Sequence, residues 1–168
     1  MDAMKRDHVD RFLERLDGIP DLDYEVEGIV ERLSGLHRSF HRKLEETLGE
    51  HGLMLGEWKV LRQLKFKGEE SCSPGDLSAD LDLSSGAMTN RLDKLERRGL
   101  IERRRDPDDR RGVLLELTEA GDRAWTDSTN AQARKEALLA GALTKAEQKQ
   151  LNGLLRKLVL EFDEESAG

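Results

Sequence analysis

Five arginines fall within nine positions: Arg103, Arg104 and Arg105, then Arg110 and Arg111. Between them stands Asp106-Pro107-Asp108-Asp109. Cations crowded in this way grip phosphate or carboxylate groups. The intervening residues are turn chemistry, so the arginines belong to a hairpin whose strands are residues 100–105 and 113–117. A tip with paired arginines suits the narrow minor groove of duplex DNA, where negative potential is concentrated. The alternative is a solvated strand edge protected against aggregation. Asp109 reads as a brace holding Arg110 or Arg111 in one rotamer, or as a turn former.

The helix expected over 85–98 precedes that hairpin. Met88, Leu92 and Leu95 lie at i, i+4 and i+7 and face a core, which leaves Ser85, Gly86, Thr89, Asn90, Asp93, Lys94 and Arg97 toward solvent. The exposed N-terminal half is small and hydrogen-bonding. It permits close approach to a major groove and offers donors and acceptors to base edges and phosphates, while the helix N-terminus turns N–H groups toward a phosphate. An ordinary solvated surface helix is the alternative for this segment alone.

Positioning these groups requires a scaffold, and the punctuation supplies one. Ser73-Pro74-Gly75-Asp76 is a helix start with a capping box. Asp82-Leu83 makes a turn, Ser84 or Ser85 caps the next helix, and Gly99 ends it in a left-handed conformation. A helix over 56–65 should turn Trp58, Leu61 and Leu64 inward. Helix, turn, helix and basic wing in this order describe a winged helix-turn-helix reading double-stranded DNA.

Long helices flank this module. Residues 3–16 form a short amphipathic helix, and residues 23–50 a long one of roughly 40 Å at 1.5 Å per residue. Its stripe is Val26, Ile29, Val30, Leu33, Leu36, Phe40, Leu44 and Leu48. Thr118 caps a helix reaching about Leu143, and Thr144 with Glu147 forms a capping box for a final helix carrying Leu151, Leu154, Leu155, Leu158 and Phe162. These stripes exceed what one small core needs, and a two-fold copy would bury them. The expected fold is therefore mainly α with a small β wing. Its parts are N-terminal dimerisation helices over 1–50, a DNA-binding lobe over 51–117 and C-terminal dimerisation helices over 118–168.

Composition agrees with a helical chain of one modest core: 168 residues, 38% charged and 4% aromatic. The net charge of -7 looks wrong for a DNA binder. It is unevenly spread: residues 84–112 carry nine Lys and Arg against six Asp and Glu, and the acidic excess lies in the flanks. No apolar run approaches the length of a membrane span, and no basic-then-apolar start suggests a signal peptide. A single cysteine fits a reducing cytoplasm, where the protein is expected.

Other groups carry weaker signals. Arg38, Arg42 and Arg62 could meet an anion, though single arginines on long helices are usually solvated or paired. His37 and His41 share a helix face without a third ligand in sight, so packing is preferred to metal binding. Cys72 reads as structural and Trp58 as core or ligand platform. Nothing joins a cysteine, histidine or carboxylate pair to a catalytic motif, so no enzyme and no cofactor are expected.

The segment LSSGAMTNRLDKLERRGLIERRRDPDDRRGVLLELTEAG resembles the core of the MarR family of winged-helix transcriptional regulators. That family's wing pattern, D-x-R followed by five residues and L-T, stands here as Asp109-Arg110-Arg111 and Leu117-Thr118. The resemblance covers about residues 23–165. It implies a homodimer, held by its terminal helices, that binds a pseudo-palindromic operator and usually represses. It places Ser84, Ser85, Thr89, Asn90 and Arg91 at the recognition-helix positions, with Lys94 beside them, and Arg110 or Arg111 at the minor groove. The wording is most similar to the branch responding to urate or small polycarboxylates. Glu57, Arg91 and Arg103 match that branch's acidic residue and two arginines, with Trp58 and Arg38 as further candidates for a small organic anion effector. No Trp precedes Trp58, so the branch's N-terminal Trp has no counterpart. A regulator of the same fold without an effector is the alternative.

Overall fold

A computed structural model of the chain describes residues 5–68, 72–107 and 112–167. It contains two compact units, Met1–Gly56 and Glu57–Gly168.

The first unit holds α1 (His8–Arg15) and α2 (Tyr24–Glu50). Asp7 caps α1 in a capping box with Asp10. Arg32 of α2 then takes both carboxylates, Nε 2.9 Å from Asp7 Oδ2 and Nη2 2.6 Å from Asp10 Oδ1. The Asp7 carboxyl is held below its ordinary range, first by the Asp10 backbone N–H and further by Arg32. Asp23 caps α2, accepting from the N–H groups of Glu25 and Val26. The predicted α2 stripe is real as a stripe and open along much of its length: Val26, Ile29, Val30 and Leu36 are each half-exposed.

The second unit contains the body of α3 (Leu55–Lys67), then α4 (Pro74–Asp80), α5 (Ser85–Arg97), β1 (Ile101–Arg105), β2 (Val113–Leu117), α6 (Glu119–Ala140) and α7 (Lys145–Ala167). Its core is Val60, Leu61, Leu64, Cys72, Leu77, Met88, Leu92, Leu95, Leu100, Ile101 and Leu115. The fold is mainly helical with a two-stranded antiparallel wing, β1 and β2, paired from Ile101–Leu117 to Arg105–Val113. Leu151, Leu154, Leu158 and Phe162 of α7 are exposed.

One expected face is corrected. Leu61 and Leu64 point inward, but Trp58 is only partly covered, and Glu57 and Val60 are buried instead. A helix face recurs at three and four residues, so 57, 60, 61 and 64 share it and 58 lies about 100° away. The helix begun by Thr118 also stops at Ala140 rather than Leu143.

Candidate nucleic-acid interface

The site begins with α4, whose start is built as its sequence demands. Ser73 Oγ accepts from the Asp76 N–H at 3.2 Å, and Asp76 Oδ2 accepts from the Ser73 N–H at 2.8 Å. The turn after α4 closes with Leu83 N–H donating to Ser78 O at 2.9 Å and Asp82 at φ +50, a conformation that Asp tolerates better than most residues. Ser84 then caps α5, its Oγ accepting from the Ala87 N–H at 3.3 Å. The sequence left Ser84 and Ser85 open as caps; Ser84 has the role and Ser85 is the first helical residue.

Met88, Leu92 and Leu95 anchor α5, each at most 1% exposed. Ser84, Ser85, Gly86, Thr89, Asn90 and Lys94 are exposed, and Arg91 is half-buried. Thr89 Oγ1 donates to Ser85 O at 2.8 Å, which commits its one hydroxyl proton and leaves the oxygen as an acceptor. Arg97 Nε donates to Asp93 O at 3.1 Å.

The C-terminus of α5 sets the wing. Gly99 has φ +66, Leu100 N–H donates to Leu95 O at 3.0 Å and Gly99 N–H to Glu96 O at 2.8 Å. This is a Schellman ending, which needs the left-handed residue that Gly accepts without strain. The chain therefore leaves the helix directly into β1. A further connection holds the middle of the hairpin: Leu115 N–H donates to Cys72 O at 2.8 Å. Cys72 is buried, and desolvation pushes its thiol pKa up. Both observations agree with a structural cysteine rather than a reactive one.

Thr118 ties the wing to α6. Its Oγ1 donates to Gly99 O at 2.7 Å and accepts from the Gly121 N–H at 3.0 Å. A Cβ on Gly121 would stand 2.0 Å from Leu100 O, so no larger residue fits the observed packing. The sequence reading missed this glycine, although Glu119-Ala120-Gly121 directly after a cap was a visible signal.

The candidates for an anionic ligand are placed as follows. Glu57 is 5% exposed, with Oε2 3.0 Å from Arg98 Nη1. Arg103 holds Asp93 Oδ1 through Nη2 at 2.7 Å and Glu96 through Nη1. Trp58 Nε1 donates to Thr129 Oγ1 at 3.3 Å, and the Arg62 guanidinium lies 5.3 Å from its ring centroid. Arg38 is exposed on α2. A cavity of about 570 Å³ in the second unit is lined by Leu64, Lys67, Cys72, Leu115 and Asp122 among others, and by none of Glu57, Trp58, Arg91 or Arg103. Asp109, Arg110 and Arg111 lie outside the described residues. His37 and His41 have ring centroids 6.1 Å apart, and no group of three metal-ligating side chains occurs among the described residues. No described helix is long and apolar enough to cross a membrane.

Residues 53–113 match the model of the MarR family. The uncharacterised HTH-type transcriptional regulator YkoM of Bacillus subtilis is 33% identical over 135 residues, 76% of this chain and 86% of YkoM. The transcriptional repressor MprA of Escherichia coli is 36% identical over 105 residues, 62% of this chain and 60% of MprA. Among solved structures, YusO from Bacillus subtilis has a TM-score of 0.73 at 24% identity, covering 83% of this chain and 98% of YusO, a likeness of fold.

Proposed function

The chain belongs to the MarR family of transcriptional regulators, and we propose that it works as a homodimeric repressor released from a pseudo-palindromic operator by a small organic anion. One observation carries the DNA-reading part. The core-anchored helix α5, with its cap Ser84, leaves Ser84, Ser85, Thr89, Asn90 and Lys94 exposed on the side away from the core and runs directly into a two-stranded wing. Such a helix enters a major groove while the wing reaches the neighbouring minor groove. Ser85, Thr89, Asn90 and Arg91 address base edges and phosphates, Lys94 a phosphate, and Arg110 and Arg111 the minor groove with Asp109 as brace.

The dimer reading rests on the half-exposed stripes of α2 and α7. Full burial of a Leu, Ile or Val is worth about 1.5–3 kcal/mol relative to exposure, so covering several half-exposed ones favours association. Residues 1–50 and 118–168 would then hold the dimer, and residues 51–117 would read DNA. Two-fold symmetry in the protein calls for two half-sites about one helical turn apart.

The effector reading draws on the resemblance to the urate- and polycarboxylate-responsive branch, with Glu57, Trp58, Arg91 and Arg103 as ligand residues. A second reading, a regulator with no effector, is favoured by one observation: Arg103 and Glu57 already have ion-pair partners in Asp93, Glu96 and Arg98. An anion would have to displace them.

Fluorescence anisotropy with duplexes from the DNA flanking the gene tests the main proposal. Tight binding at one site, weakened by urate or another small organic acid, is the expected result. A bound site that no member of the panel weakens favours the effector-free reading. No preference over random duplex removes the repressor proposal.

A further inference from the structure

The recognition helix α5 carries two acidic residues, Asp93 and Glu96, and both are held by one side chain from another element, Arg103 of β1. This is an odd arrangement for a helix that meets DNA. Carboxylates near a phosphate backbone cost affinity, and a wing arginine spent on them is lost to phosphate binding.

Strand alternation explains how Arg103 comes to be there. Ile101, Arg103 and Arg105 share one face of β1, and Ile101 at its base is 2% exposed. Arg103, opposite Leu115 in the ladder, is the next residue outward on that face and turns back to α5. Its neighbour Arg104 leaves the opposite face and pairs with Glu102 at 2.6 Å and Glu116 at 3.1 Å, within the hairpin itself. Adjacent arginines thus have different work. Arg104 closes the hairpin, and Arg103 joins the hairpin to the helix.

The chain links α5 to β1 through Gly99, Ile101 packs the hairpin's base, and Leu115 is buried at mid-ladder. Arg103, level with Leu115, adds a direct polar link from the first strand to residues one turn apart on the helix. A planar guanidinium with fixed donors holds two carboxylates in a defined geometry. We infer that Arg103 is a positioning residue: by holding Asp93 and Glu96 from the first wing strand, it sets the angle at which wing and recognition helix are presented to adjacent grooves of the operator. The inference rests on the DNA-reading proposal above and assigns Arg103 a role that needs no contact with DNA or ligand.

The test uses the full chain and compares its operator with a random duplex of equal length. The variants are Asp93→Asn with Glu96→Gln, Arg103→Ala, the triple substitution and Arg103→Lys. Simple electrostatics expects tighter binding when two carboxylates are removed. Positioning expects the reverse for the operator alone. Operator affinity should fall roughly five- to tenfold, the scale of two part-exposed ion pairs, while random-duplex affinity holds or rises. Arg103→Ala should lose a similar factor with an unchanged salt slope, the triple variant should be no worse than Arg103→Ala, and Arg103→Lys should retain part of the preference. The inference is overturned if the acid variant binds the operator as tightly as the unaltered chain or more tightly. It is equally overturned if the losses add, or if Arg103→Ala lowers the salt slope by about one, the mark of a lost phosphate contact. Should Arg103→Ala fail to fold, the acid variant, whose altered side chains are part-exposed, decides by itself. An unaltered chain with no operator preference would remove the DNA-reading proposal, which is a different outcome from either.

Discussion

The Glu57 carboxylate of α3 lies 3.0 Å from the Arg98 guanidinium at the C-cap of α5, and the Glu57 side chain is only 7% exposed. Helix α5 is therefore fastened at its C-terminal end to α3. Arg98 remains 39% exposed, which moderates the cost of burying the pair. Arg98→Ala removes a partner from a buried carboxylate, a change worth about 1–3 kcal/mol. Urea unfolding should show a lower midpoint with an unchanged slope. A midpoint equal to that of the unaltered chain would mean that the pair is dispensable to the fold.

Gly121 should be the least replaceable small residue of the second unit. Its missing side chain lets α6 begin against the Leu100 carbonyl, and a methyl group there would clash with backbone rather than with a side chain that can swing away. Gly121→Ala should cost at least the roughly 1–3 kcal/mol typical of overpacking. Thermal unfolding measures it. Operator affinity should fall as well, since Leu100 and Thr118 together seat the wing.

For the wing arginines the expected signature is electrostatic. Arg110→Ala with Arg111→Ala should weaken operator binding strongly and reduce the magnitude of the log–log salt slope by up to about two. Sedimentation should find the same oligomeric state as for the unaltered chain. Unchanged affinity would remove these residues from the minor groove.

Acid should loosen the helix starts in a definite window. The Asp76 carboxyl is lowered by the Ser73 backbone N–H and then by the Ser73 hydroxyl, and the Glu147 carboxyl by the Thr144 side chain and then its backbone N–H. A depressed carboxylate contributes stability above its unfolded-state value and loses it as pH falls through the folded-state value. The loss therefore falls below about pH 4, where unperturbed Asp and Glu titrate. Hydrogen exchange between pH 5 and 3 should show the first turns of α4 and α7 opening early, beyond the intrinsic change in exchange rate. Asp76→Asn and Glu147→Gln should remove that dependence at their own helix only.

Much of the local structure around the site was legible in the sequence. Ser73 with Asp76, Ser84, Gly99, Thr118, and Thr144 with Glu147 all stand at the helix ends expected of them. Met88, Leu92 and Leu95 face inward as their spacing required. Trp58 misled because a large aromatic outweighed the periodicity that placed Glu57 and Val60 on the buried face.

The line between the two kinds of knowledge follows the range of the interaction. A cap and the group it serves are three residues apart, so covalent geometry brings them together wherever the helix forms, and a 3.6-residue period sorts one face from the other. Sequence alone determined the elements, their capped starts and the exposed face of α5 on these grounds. Which arginine meets which acid depends on how α3, α5 and the hairpin pack, and no local spacing encodes that. Tertiary structure alone decided that Glu57 pairs with Arg98 and that Gly121 lies against Leu100 O. It alone turned Arg103, one of five crowded arginines, toward Asp93 and Glu96.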